Sequence, residues 1–286
     1  MTDDPFVTHR SLLFTVAYEI LGSAVDAEDV LQESWLRWAQ VDRDEVRDPR
    51  AYLVRVVTRQ ALNQVRTLAR RREDYVGEWL PEPLLTTRDV AEDVELSESL
   101  SIAMLTILET LSPTERAVFV LHEVFDVQHD EIADAVGKTP AAVRQIVHRA
   151  RAHVAARRPR VRASRREQER AAQQLVAALN AGDLQGLLDV LAPEVVLVVD
   201  GGGVSGAAKR PVVGRDRLVT LLMSGAGRLV ASMTQVNGRP AVRVDFDGAL
   251  GAAIDLVVEN GRITRILSIV NPAKLARLET AVPLAR

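Results

Sequence analysis

Arg59, Asn63, Arg66 and Arg70 recur at intervals of three and four residues, which places them on one face of a helix. Guanidinium groups bind phosphate oxygens, and an asparagine amide hydrogen-bonds a base edge. A face of this kind therefore suits a nucleic-acid backbone together with an unstacked base, and Arg71 extends it. A second set, Arg144, Gln145, His148, Arg149 and Arg151, follows Thr139-Pro140-Ala141-Ala142. The small residues let a helix end approach DNA closely, and Arg and Gln can read base edges in the major groove. A third set is acidic. Asp26, Asp29 and Glu33 fall at i, i+3 and i+7 with Gln32 beside them, a face suited to a basic protein surface. Carboxylates able to serve as general acid or base stand in the last third, at Asp200, Asp245, Asp247 and Asp255, where no histidine follows His153. Each charged face also fits an ordinary solvated helix, and Asp200, preceding Gly201-Gly202-Gly203, also fits a turn. No catalytic residue, metal or cofactor is expected.

The elements that would position these groups follow from periodicity. A helix is predicted over about 5–21, with Phe6, Leu13, Ala17 and Ile20 near one stripe and Gly22 ending it. A second, from Asp26 to about Gln40, has Leu31, Trp35 and Trp38 on its apolar side. After a polar loop, Pro49 opens a third helix running to about Arg72. Trp79-Leu80-Pro81-Glu82-Pro83 cannot be helical throughout, and its rings need somewhere to dock. Ser112-Pro113-Thr114-Glu115 is a capping box. Ile132, Ala133 and Val136, then Gly137-Lys138, then Val143, Ile146 and Val147 read as helix, turn and helix. Two helices follow, over 167–181 and 183–191. Beyond them the period becomes two, with strands near 195–199, 229–236, 241–246, 253–258 and 262–270, the last pair joined at Glu259-Asn260-Gly261. Helices first and an antiparallel meander after them mean α+β.

The 286 residues carry a net charge of -3, which argues against coating nucleic acid through bulk charge. Resolved by position the picture changes: residues 1–160 sum to -7 and residues 161–286 to +4, with ten Arg against two Glu between Arg144 and Arg170. Acidic and basic surfaces for different partners nearly cancel. The chain contains no Cys, which excludes disulfides, thiolate metal sites and cysteine nucleophiles. The N-terminus lacks a basic region followed by an apolar run, and the apolar stretch 187–199 is broken by Asp189, Pro193 and Glu194. A cytoplasmic protein with no membrane contact is expected.

The segment Asp26-Ala27-Glu28-Asp29-Val30-Leu31-Gln32-Glu33 resembles the core-polymerase-binding segment of bacterial sigma factors. The helix from Tyr52 to Arg72 is similar to their −10-reading helix, and residues 129–156 to their −35-reading helix-turn-helix. Two such domains with no other between them resemble the extracytoplasmic-function (ECF) class, and 167–280 resembles a SnoaL-like, NTF2-type domain. Three marks point to the group carrying this fusion: Trp79-Leu80-Pro81-Glu82-Pro83, Asp200-Gly201-Gly202-Gly203, and Asn271-Pro272-Ala273-Lys274-Leu275. The sequence departs from the group where Val204 follows the glycines in place of a basic residue, and where Ala273 replaces an aspartate.

The resemblance implies sigma region 2 over 1–74, a linker over 75–96, sigma region 4 over 97–160 and a SnoaL-like domain over 165–286 that modulates activity in cis through the three marks. It implies core RNA polymerase and promoter DNA as partners, a monomer, and no obligatory separate anti-sigma factor. Two other readings stay open: a one-component helix-turn-helix regulator with a ligand-sensing domain, and a cyclase or isomerase of the SnoaL type.

Overall fold

The structure is a computed structural model describing residues 4–73, 75–86, 93–158, 163–224 and 227–286, with residues 69–73 described through their backbone alone. The first helical unit comprises α1 (Pro5–Thr8), α2 (Arg10–Leu21), α3 (Ala24–Trp38) and α4 (Pro49–Glu73). The helix expected over 5–21 is broken at His9, where Asp4 caps a short first turn through the Phe6 N–H. The expected stripe on α2 is also too narrow. Every residue from Leu12 to Leu21 is buried, because α3, α4 and a later helix all pack around it. Gly22 closes the helix at φ 71°, in the left-handed region that glycine adopts without steric cost. On α3 the buried positions are Ala24, Ala27, Val30, Leu31, Ser34 and Trp38. Trp35, expected inside, is 45% exposed.

The second helical unit follows with α5 (Val94–Ser99), α6 (Ile102–Leu108), α7 (Pro113–Glu123), α8 (His129–Val136) and α9 (Pro140–Ala155). Ser112 and Glu115 form the reciprocal capping box, Gly137 ends α8 in the left-handed region, and Thr139 caps α9 through the Ala142 N–H. The apolar anchors Ile132, Val143, Ile146 and Val147 are buried and continuous with the core of the first unit. The two helical units therefore share one core.

The third unit is α10 (Arg165–Ala181), α11 (Leu184–Val190), β1 (Leu191–Asp200), β2 (Val212–Val213), α12 (Arg215–Ser224), β3 (Leu229–Val236), β4 (Arg239–Phe246), β5 (Ala249–Glu259), β6 (Arg262–Ile269) and the short α13 (Pro272–Leu275). The sheet order is β2-β1-β6-β5-β4-β3. Strands β3 to β6 form the expected antiparallel meander, but β1 lies parallel to β6, so the sheet is mixed. The Asp200 and Asn271 motifs thereby leave the sheet at the same end of two adjacent strands, since Asp200 pairs with Ile269. Helix α12 was not foreseen. It closes one face of the sheet together with α10, and Val195, Leu197, Val244, Ile254 and Ile266 point between them.

The other face carries Ala241, Ala253, Leu267 and Ile269. These pack on Leu80 of the linker and Ile102 of α6, so alternation along each strand is read on both sides by different layers. The end of the chain does not stay with the sheet. The Val282 N–H donates to the Leu85 carbonyl, Leu284 joins the core of the helical units, and Arg286 pairs with Asp93 and Glu95.

Candidate interdomain clamp and nucleic-acid interface

Asp200 is fully buried at the end of β1. Its carboxylate accepts hydrogen bonds from the Tyr75 hydroxyl, from the Leu80 backbone N–H at 2.8 Å and from the Lys274 ammonium at 2.6 Å. Lys274 also donates to the Leu80 carbonyl and lies 4.1 Å from the Trp79 ring centroid, a cation–π distance. Asn271 donates to Tyr75 at 2.9 Å. The three sequence marks thus meet around one carboxylate. Gly202 explains part of the glycine run: it sits at φ 54°, and a Cβ there would lie 2.4 Å from the Asn271 amide nitrogen. Leu80, 1% exposed, is the apolar anchor beside the charge pair, worth about 2 kcal/mol of burial. Val204 and Ala273, the two departures, are both exposed.

Glu82 ties the linker to the first helical unit. Its side chain accepts from the Ala24 N–H at 2.7 Å, at the N-terminus of α3, and its carbonyl accepts from the Tyr18 hydroxyl at 2.5 Å. A carboxylate there also meets the positive end of the helix dipole. Burial raises the pKa of Glu82, and the hydrogen bonds from Ala24 and Val25 oppose that. Pro81 and Pro83 are buried on either side.

Two residues not foreseen in these roles complete the seam. Asn237 and Gly238 both have positive φ, 53° and 77°, in the two-residue turn between β3 and β4. The buried Asn237 side chain accepts from the Leu84 N–H at 2.8 Å. It donates to the Tyr18 hydroxyl and to the Leu100 carbonyl, both at 2.7 Å. One amide therefore touches the first helical unit, the linker and the second helical unit. The Asn-Gly pair signals the hairpin in the sequence, but nothing local tells that its side chain is an interdomain plug. Asp255 accepts from the Ala103 N–H at 3.3 Å near the start of α6, and burial raises its pKa.

This disposes of the acid–base candidates. Asp200 is engaged with the linker and Lys274, Asp255 with the second helical unit, Asp245 is paired with Arg243 at 2.8 Å, and Asp247 is exposed and paired with Arg228 at 2.9 Å. None lines the cavity inside the third unit.

The basic faces are placed unevenly. Arg59 does not project freely: its guanidinium donates to the Asp134 carbonyl at 2.6 Å and to Ala135, so α8 covers that end of α4. Asn63 and Arg66 are exposed, and the side chains of Arg70 and Arg71 lie outside the described ones. On α9, Arg144, Gln145 and His148 are exposed, Arg149 faces Glu115 at 3.8 Å, and Arg151 pairs with Glu123 at 2.7 Å. On α3, Asp29, Gln32 and Glu33 are exposed beside Trp35 and Leu36, whereas Asp26 is half-buried and accepts from Gln64 at 3.2 Å. The loop over 42–48 and α4 border a cleft with Glu131 and Asp134 of α8.

Two helical units, the second ending in a helix-turn-helix, with a sheet domain fastened across them, are the layout of a transcription-initiation factor. Residues 6–71 match the Sigma-70 region 2 family and residues 101–154 the Sigma-70 region 4 family. The chain is similar to the ECF RNA polymerase sigma factor SigJ of Mycobacterium tuberculosis, with 35% identity covering 94% of this chain and 91% of that protein. It is 31% identical to the probable ECF sigma factor SigI of the same species, covering 93% and 92%. The crystal structure of M. tuberculosis SigJ superposes with a TM-score of 0.76 at 33% identity, covering 96% of this chain and 98% of that one. The chain belongs to the ECF RNA polymerase sigma factors, proteins that bind core RNA polymerase and direct it to promoters. Among the described residues, no helix is long and apolar enough to cross a membrane.

Proposed function

We propose that the sheet domain regulates initiation in cis by holding the linker and both sigma domains together. The observation that carries this is the convergence on Asp200 of Tyr75 and Leu80 from the linker and Lys274 from the end of the domain. A second contact gives the direction of the effect. While Arg59 is bound to the α8 carbonyls, α4 is held to the first helix of the helix-turn-helix, so the clamped state fixes the spacing of the two basic faces and restrains DNA binding, and opening it raises initiation. On this reading region 2 occupies 1–74, the linker 75–96, region 4 97–160 and the regulatory domain 165–286. Its last residues, from Val282, act as a strap back to the linker and to α2.

In the open state Asp26, Asp29, Gln32 and Glu33 meet the polymerase, with Trp35 and Leu36 adding apolar contact. Arg59, Asn63, Arg66, Arg70 and Arg71 meet the opened −10 strand. Arg144, Gln145, His148, Arg149 and Arg151 meet the −35 element, positioned by the Thr139 cap. The protein works in the cytoplasm as a monomer and needs no separate anti-sigma factor, because the clamp supplies the restraint.

Run-off transcription with purified core polymerase tests this. Lys274→Ala is expected to raise transcript yield severalfold at equal protein concentration, and unchanged yield would overturn regulation through the clamp. Arg144→Ala is expected to weaken binding to the upstream element more than to scrambled DNA, and equal losses on both would remove Arg144 from base readout.

A further inference from the structure

The sheet domain encloses a cavity of about 360 Å³ between α10, α12 and the inner face of the sheet. Its size falls in the range of small-molecule sites, roughly 300–1,000 Å³. Leu179, Leu197, Leu218, Val244, Ile254 and Ile266 make its walls, and Ser268 carries the one polar side chain among the described lining residues. Such a cavity is a poor home for water, which needs several polar partners, and an ionised ligand would lose its hydration there with no counter-charge to meet. The mouth is marked by Leu221 and Phe246, which line the cavity and yet are 45% and 42% exposed. Phe246 is held there by Gly251: a Cβ at that position would come within 2.2 Å of the Phe246 ring.

The cavity wall and the clamp are built from the same stretches of chain. Val199 lines the cavity and Asp200 is the next residue. Val270 lines it and Asn271 is the next residue. Ala207 lines it and rests against Gly201, where a Cβ would lie 2.5 Å from the Ala207 Cβ. Gly201 is therefore the point at which the wall over 206–208 abuts the glycine run that accommodates Asn271.

We propose that this cavity binds a neutral, largely apolar molecule with one hydroxyl or carbonyl to meet Ser268, and that its occupancy is transmitted through Ala207 and Gly201 to the clamp. The transmission rests on the clamp being a cis regulator; the binding site does not.

The test titrates the full chain with Nile red, a neutral polycyclic fluorophore, and displaces it with progesterone or with laurate. Saturable binding at one site is expected, with a dissociation constant on the order of 10 μM. Progesterone should compete and the laurate anion should not. Ala252→Phe fills the cavity and Leu221→Glu places a charge at the mouth. Leu221 is already half in solvent, so the second variant stays informative if the first fails to fold. Each is expected to weaken binding about tenfold or more. Unsaturable binding, full affinity in Leu221→Glu, or laurate competing as well as progesterone would each overturn the site as stated.

For transmission, hydrogen exchange over residues 75–80 should change at least about threefold on saturation with progesterone, and not in Leu221→Glu at the same concentration. Saturation without any change in exchange overturns the transmission while leaving the site. The transcription assay on Lys274→Ala reads the cis-regulator reading separately.

Discussion

The two faces of the one sheet have divided their chemistry completely. The face turned toward α12 is apolar apart from Ser268, and no carboxylate stands among the described residues that line its cavity. The face turned toward the sigma domains, and the turns at its ends, carry Asp200, Asp255 and Asn237, each buried and each hydrogen-bonded to a residue outside the sheet domain. A buried polar group is costly unless its partners are supplied. Each of the three takes at least one of its partners from the linker or a helical unit, so none is fully satisfied unless the domains are together. The buried carboxylates Asp200 and Asp255 of this domain stand at the seam and not in its cavity.

The comparison is broken most forcefully at Asp200. Asp200→Ala removes the carboxylate that pairs with the Lys274 ammonium and accepts from the Leu80 N–H, and breaking a buried pair from one side costs about 3–5 kcal/mol. Denaturant unfolding should show that loss, and limited proteolysis should cut first within residues 75–86. The next largest effect is pH-dependent and lies at the seam between the helical units, where Glu19 accepts from Ser99 at 2.8 Å. Burial raises Glu19 from 4.5 to about 8. The folded state therefore holds a proton that the unfolded chain releases, and its stabilisation is full below the unfolded value and lost as pH rises from about 4.5 to about 8. Asp255 and Glu82, also raised by burial, act in the same direction. Glu19→Gln should flatten the fall in melting temperature over that interval, by an amount equivalent to a few kcal/mol at most.

Asn237→Ala removes three side-chain hydrogen bonds and strands the Leu84 N–H, for a loss of about 2 kcal/mol. Asn237→Gly keeps the positive φ without strain, so a similar loss in both variants, measured by chemical denaturation, assigns the cost to the plug and not to the turn. The smallest effect is expected at Asp247, away from both faces' special chemistry. Asp247→Asn breaks an exposed pair with Arg228 and should change stability by less than about 0.5 kcal/mol. A large loss there would blur the contrast between the faces.

Much of the local structure was legible. The capping box at Ser112, the Gly22 and Gly137 helix ends, the helix-turn-helix anchors and the Gly261 hairpin all depend on residues within a few positions of one another, and so does the period that separates helices from strands. The errors came where a distant surface decides. Trp35 has the spacing of a core residue on α3 but is exposed, while Leu31 and Trp38 of the same helix are buried where α3 packs on α2 and α4. The tail from Val282 runs back to the linker, a contact that no local pattern in the chain announces. The three motifs of the fusion could be recognised in the chain, but not that one carboxylate gathers them.

The sequence by itself determined which segments are helical and which extended, where they stop, that acidic and basic surfaces are segregated, and that thiol chemistry is absent. These follow from propensity, capping and composition, which act over one or two turns of chain. Only the tertiary structure decided what each polar group is used for. Asp200 reads as a turn residue or a general acid until the parallel pairing of β1 with β6 brings it beside Lys274, 74 residues later, and folds the linker over both. Asn237 reads as a hairpin residue until Tyr18, Leu84 and Leu100 close around it. A carboxylate or an amide has several uses of similar local cost, and what selects among them is the partner that burial delivers from elsewhere in the chain.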